Sequence, residues 1–110
     1  MKLSTSIKNG WQSIQANGQI DSKTVTSLRD YIDTELKNDM PVALDLSGVT
    51  FMSSAGLRAL LTLHRRTQEM EVSLALVGLS EEIADTMKIT GFYDYFQIYN
   101  QMSELPGVEE

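Results

Sequence analysis

With 110 residues, 42% of them hydrophobic, the chain is sized for one compact domain spanning 1–110 and is too short for two. Its formal net charge of -6 and the lack of any basic cluster exclude direct nucleic-acid binding, which depends on phosphate neutralisation by Lys and Arg. It has no cysteine and one histidine, His64, so disulfides, thiolate metal sites and a zinc site on the lone imidazole are excluded, and no cofactor is expected.

Residues 2–8 and 11–16 flank Asn9-Gly10, the strongest short signal for a two-residue hairpin turn. That turn sets Lys8 opposite Trp11, Ile7 opposite Gln12, Thr5 opposite Ile14 and Leu3 opposite Ala16. Leu3, Thr5, Ile7, Ile14 and Ala16 then share one face, and Ser4, Ser6, Ser13 and Gln15 the other. One covered and one wet face are expected. Trp11 falls on the wetter side, its ring lying over the hairpin end.

After Gly18-Gln19-Ile20, either Asp21 or Ser22 can cap a helix reaching about residue 38, with Val25, Leu28, Ile32 and Leu36 as its apolar stripe. Met40-Pro41 separates it from the apolar run 42–46, an interior strand. A loop is expected over 47–54. From about 54 to 68 a second helix follows, with Leu57, Leu60, Leu61 and His64 on its inward face. Residues 72–77 form another strand. Ser80 caps a third helix with Glu81 and Glu82 in its first turn and Ile83, Met87 and Ile89 inward, until Gly91 stops it. The aromatic-rich stretch 92–99 reads as a loop and a last strand. Within 100–110 there is room for a short helix before a frayed Pro106-Gly107 end, with fraying expected over 101–110.

The order β-β-α-β-α-β-α-β implies an α/β fold. A β-hairpin leads into a mixed, mostly parallel sheet of four or five strands with helices on one face. No stretch approaches the ~20 apolar residues of a membrane span, and no basic stretch before an apolar segment opens the chain. No membrane insertion and a cytoplasmic location are therefore expected. Function is expected at the strand-to-helix segment 47–54, at the carboxyl end of a strand. There Ser53, Ser54 and Gly56 place a hydroxyl pair at a helix N-terminus, where free N–H groups and the macrodipole favour an added anion.

The stretch LDLSGVTFMSSAGL, residues 44–57, resembles the segment of STAS-domain anti-sigma factor antagonists that runs from an apolar strand through Asp-Leu-Ser to Met-Asp-Ser-Ser/Thr/Ala-Gly-Leu. Gly18-Gln19-Ile20-Asp21 is similar to the family's Gly-x-Leu/Ile-Asp before the first helix. Ile89-Thr90-Gly91-Phe92 and Phe96-Gln97-Ile98 are similar to its C-terminal end. The resemblance covers essentially the whole chain and implies a STAS fold and a regulator in bacterial transcription control, not an enzyme. By position it implies Ser54 as the phosphorylated residue. The partners it implies are an anti-sigma factor that is also a serine kinase of the ATP-binding GHKL type, bound only by the unphosphorylated form, and a PP2C-type phosphatase that restores it. Where the family usually has Asp, this chain has Ser53, which can also cap a helix and offers a competing hydroxyl.

The partner-binding residues expected from this are Asp21, Met52, Ser53, Ser54, Ala55, Gly56, Leu57 and Arg58. Several have plainer roles open to them. Asp21 can cap the first helix, Gly56 can permit close packing, and Met52 and Leu57 can belong either to a contact patch or to the core. Arg58, one turn beyond Ser54, can meet a phosphate or stay solvated. Asp45 can orient the following segment by accepting backbone hydrogen bonds. Two rival classes are a STAS accessory module of a transporter or signalling complex that is never phosphorylated, and a serine-nucleophile enzyme. The enzyme is disfavoured because the sequence lacks a Gly-x-Ser-x-Gly elbow and its one histidine belongs to the inward face.

Overall fold

Asn9 and Gly10 turn the chain back on itself with φ of 54° and 83°, the pair of positive φ values that a tight hairpin turn requires. They join β1 (Lys2–Lys8) to β2 (Trp11–Ile20) in the register expected from the turn, from Lys8 opposite Trp11 to Leu3 opposite Ala16. The computed structural model describes residues 1–37 and 39–107. The remaining elements are α1 (Val25–Glu35), β3 (Val42–Met52), α2 (Ser54–Met70), β4 (Leu74–Val77), α3 (Glu81–Thr90) and β5 (Gln97–Tyr99). One five-stranded sheet runs in the order β1-β2-β3-β4-β5. Its first pair is antiparallel and the others are parallel, as helical crossovers between successive strands dictate.

All three helices pack on one face. Ile14, Leu44 and Leu76 from the sheet meet Leu28, Leu60 and Met87 from the helices, each 0 or 1% exposed. Gln12, also on this face and fully buried, explains where α1 stops: its side-chain amide donates to the Glu35 carbonyl, and its oxygen accepts the Lys37 N–H at 2.9 Å. A buried amide is stable here because both halves are bonded. α1 ends at Glu35, with Leu36 extended, short of the limit expected near residue 38; Asn38 itself lies outside the described residues.

Several expectations need correction. Ile7, placed on the covered face, is 61% exposed at the hairpin tip. The buried face of α2 centres on Leu57, Leu60 and Leu63, with Thr67. Leu61 and His64 sit half-buried at its flank, His64 lying edge-on to Phe96 with ring centroids 5.3 Å apart. Ile89 is 86% exposed, because it lies ~200° around the helix from the buried Met87.

The largest correction concerns the face opposite the helices. It is covered around Trp11 and Ser13, whereas Ser4 and Ser6 on β1 are exposed as expected. Trp11, 2% exposed, packs with Ala43, Ala75 and Val77 beneath Leu105, with Tyr99 and Met102 alongside. Its indole N–H donates to the Pro106 carbonyl at 2.7 Å, the polar partner a buried indole needs. The expected C-terminal helix is one 3-10 turn, Met102–Glu104. After it, Leu105 is buried against Trp11 and the Pro106 carbonyl accepts the indole bond; residues 108–110 lie outside the described residues.

Candidate functional site

The parallel pair β2 and β3 runs further than its sequence implies. Pairing continues to Ile20 opposite Met52, through register shifts between Gln15 and Asn17 and between Gly18 and Gln19. The segment 47–54 is therefore strand up to Met52, with Ser53 as the only residue between β3 and α2. Asp45 does fix the start of this extension: its Oδ1 accepts from the Ser47 N–H at 3.0 Å and from the Ser47 hydroxyl at 2.7 Å. At the far end, Ser53 N–H donates to the Ile20 carbonyl at 2.8 Å. The chain thus leaves two neighbouring strands side by side, and Asp21 and Ser53 meet at the carboxyl edge of the sheet.

Asp21 and its turn are held from within. Its Oδ1 accepts from the N–H groups of Lys23 at 2.9 Å and Thr24 at 3.0 Å, and its carbonyl accepts from Val25 N–H. The Thr24 hydroxyl donates to Gln19 O at 2.7 Å. The Thr24 and Lys23 backbone donors hold the Asp21 carboxyl below its ordinary value of 3.8, since they stabilise its charged form. Neither expected residue is the N-cap of α1, which is Thr24 without a side-chain cap bond; Asp21 instead fixes the turn from which the helix starts.

Ser53 is the N-cap of α2, with φ -81°, ψ 175° and its hydroxyl accepting from Gly56 N–H at 3.4 Å. The first carbonyl bond of the helix is Leu57 N–H to Ser53 O, 3.1 Å. Ser54 and Ala55 therefore present backbone N–H groups with no carbonyl of the helix to accept them. Ser54 is exposed at the first helical position, and Ala55 is half-buried behind it. No acidic residue stands in this first turn, so the positive end of the macrodipole is uncompensated. Arg58, exposed, follows one turn later.

Gly56 is fixed by packing. A Cβ there would sit 2.6 Å from Met52 Cγ and 2.8 Å from Ile20 Cγ2, so only glycine lets the helix start press against both strand ends. Met52 and Leu57, 9% and 6% exposed, belong to the core rather than to an open apolar patch. The exposed apolar side chain beside them is Phe51, 51% exposed, which sequence reasoning passed over. Its signal was there: a phenylalanine immediately before a Met-Ser-Ser helix start.

The arrangement brings together Asp21, Met52, Ser53, Ser54, Ala55, Gly56, Leu57 and Arg58 on adjoining segments at one edge. His64 stands apart, ~15 Å along α2 from Ser54, and packs against Tyr95 and Phe96. Ser54 and His64 thus do not form a nucleophile-base pair. Among the described residues, no group of three His, Cys, Asp or Glu side chains could hold a metal ion. Among them, too, no helix is long and apolar enough to cross a membrane.

Comparison with known proteins fits this geometry. The STAS domain family model matches residues 3–105. The anti-sigma-B factor antagonist of Listeria monocytogenes is 28% identical over 91 residues, covering 82% of this chain and 80% of that protein. The crystal structure of an anti-sigma factor antagonist from Mycobacterium paratuberculosis superposes with a TM-score of 0.83 at 21% identity, over 94% of this chain and 88% of that one. A sulfate transporter family protein from Wolinella succinogenes superposes with a TM-score of 0.74 at 16% identity, over 89% and 83%. These two structures share the fold with this chain.

Proposed function

This chain belongs to the STAS domain family, and from that premise we propose that it is an anti-sigma factor antagonist switched by phosphorylation at Ser54. Antagonists of this family are regulators rather than enzymes. The observation that carries the reading is the start of α2: Ser53 occupied as its cap, Ser54 exposed after it, and no acid in the turn. In the proposed cycle the unphosphorylated chain binds an anti-sigma factor that is also an ATP-dependent serine kinase. The Ser54 Oγ attacks the γ-phosphorus of ATP. A bond from Oγ to phosphorus forms, the bond to the β,γ-bridging oxygen breaks, ADP leaves, and the hydroxyl proton passes to a base on the kinase. A PP2C-type phosphatase hydrolyses the ester and restores the hydroxyl.

The added group carries about -1.5 to -2 charges. On this chain it meets the Ser54 and Ala55 N–H groups and comes within reach of Arg58, so the fold tolerates it. A partner surface shaped for a neutral hydroxyl has no such compensation. Desolvating the charge or facing it with a carboxylate there costs about 3 to 4 kcal/mol, which weakens binding by hundreds-fold. Ser53, its hydroxyl committed to the helix, is the poorer acceptor of the pair.

The test is incubation with ATP and the anti-sigma kinases of the same genome, with mass spectrometry to locate phosphate and calorimetry to follow binding. Phosphate is expected on Ser54, with Ser54→Ala binding as the native chain does and Ser54→Asp binding far more weakly. Equal affinity of the two variants overturns the switch. A second reading, a transporter accessory module that is never phosphorylated, is favoured by Ser53 standing where the family usually has Asp, and by the likeness to a sulfate transporter family protein. Absence of modification together with co-purification with a transporter subunit would select it.

A further inference from the structure

We propose that the groove between the end of β3 and the first turns of α3 receives an apolar side chain of the same anti-sigma partner, flanked by a basic group that pairs with Glu82. This rests on the reading of Ser54 as the switch and extends the surface that the partner must cover. Met52, Leu57 and Ile83 form the floor of the groove, and Phe51, Glu82 and Thr86 border it. The floor residues are at most 9% exposed, whereas Phe51 is 51% exposed. Met52 and Leu57 stand two residues before and three residues after Ser54. A protein that closes over the Ser54 hydroxyl therefore lies against this groove as well.

Charge selects the occupant. No basic residue lines the groove, and its one charged member, Glu82, makes no ion pair within the chain among the described residues. Glu81 and Asp85 are exposed on the same helix, and the whole chain carries a net charge of -6. An aliphatic side chain accompanied by Lys or Arg would bury the Phe51 ring and complement this rim. Complementing the α3 macrodipole accounts for Glu81 and Glu82 equally; lining the groove distinguishes Glu82 alone.

The experiment is calorimetric titration of the purified chain with the anti-sigma kinase that phosphorylates Ser54, at low and high salt. Thermal unfolding confirms that each variant is folded. Phe51→Ala is expected to weaken binding about tenfold. Glu82→Lys is expected to do the same at low salt, with a smaller loss at high salt. Glu81→Lys imposes the same change on the helix start outside the groove, and is expected to stay within about twofold. If Phe51→Ala and Glu82→Lys bind like the native chain while Ser54→Asp does not, the groove is overturned and the switch stands. Equal losses from Glu81→Lys and Glu82→Lys also overturn it. If Ser54→Asp binds normally but the groove variants are weakened, the switch falls and the groove remains a contact surface. If none of the kinases binds the native chain, both readings are overturned.

Discussion

Helices α2 and α3 begin with the same device and continue differently. Each is capped by a serine whose hydroxyl accepts the N–H three residues on, Ser53 from Gly56 at 3.4 Å and Ser80 from Ile83 at 3.2 Å. After Ser80 come Glu81 and Glu82, so the positive end of α3 is complemented by its own side chains. After Ser53 come Ser54 and Ala55, with no carboxylate. At the third helical position α3 has Ile83, buried in the core, whereas α2 has Gly56, where any side chain would strike Ile20 and Met52. One helix start is a finished structural joint. The other is pressed against two strand ends and left open to an anion that the sequence itself does not supply.

Giving α2 the acids of α3 breaks this comparison most directly. Ser54→Glu combined with Ala55→Glu is expected to reduce affinity for the anti-sigma kinase by hundreds-fold, measured by calorimetry, while the fold remains intact by circular dichroism. Gly56→Ala tests the close approach. Urea unfolding is expected to show a loss of about 1 to 3 kcal/mol, from forced displacement of Met52 and Ile20. Removing the caps tests what the two helix starts share: Ser53→Ala and Ser80→Ala are each expected to cost about 1 kcal/mol. Matching losses would confirm that Ser53 acts as a cap like Ser80.

Ser54→Asp is expected to raise stability by about 0.3 to 1 kcal/mol at low salt, through the uncompensated macrodipole, and less at high salt. Stability would thus rise in the same variant that loses its partner. The smallest effect belongs to Asp21. Its carboxyl titrates below the ordinary 3.8 in the folded chain, so its contribution is complete above that value and is lost as pH falls through the lower, folded one. The stability difference between the native chain and Asp21→Asn is expected to shrink on acidification through this window, followed by urea unfolding at successive pH values.

Where a local residue pair decides the geometry, the sequence was sufficient. Asn9-Gly10 set the hairpin register residue by residue, and Ser80 and Gly91 bounded α3. The site was legible as a serine pair at a helix start, but which serine caps depended on packing, because Gly56 must face Ile20 and Met52. The length of β3 was hidden because its last residues pair with 17–20 through two register shifts, a non-local match that no periodicity records. The register and face of Trp11 follow from the turn, but its burial does not, for the same reason: its indole partner lies 95 residues downstream. Phe51 was overlooked because its neighbours carry the motif.

The docking of Trp11 under Leu105 and Pro106 has a practical reach of its own. Trp11 is the only tryptophan, so the intrinsic fluorescence of the protein comes largely from the seam where the chain's far end meets its first hairpin. A red shift of that emission ahead of the loss of helical dichroism on heating would mark release of this seam while the three helices still hold. Because the reporter lies on the sheet face away from α2, it would also let the stability of the scaffold be followed while the opposite face is occupied.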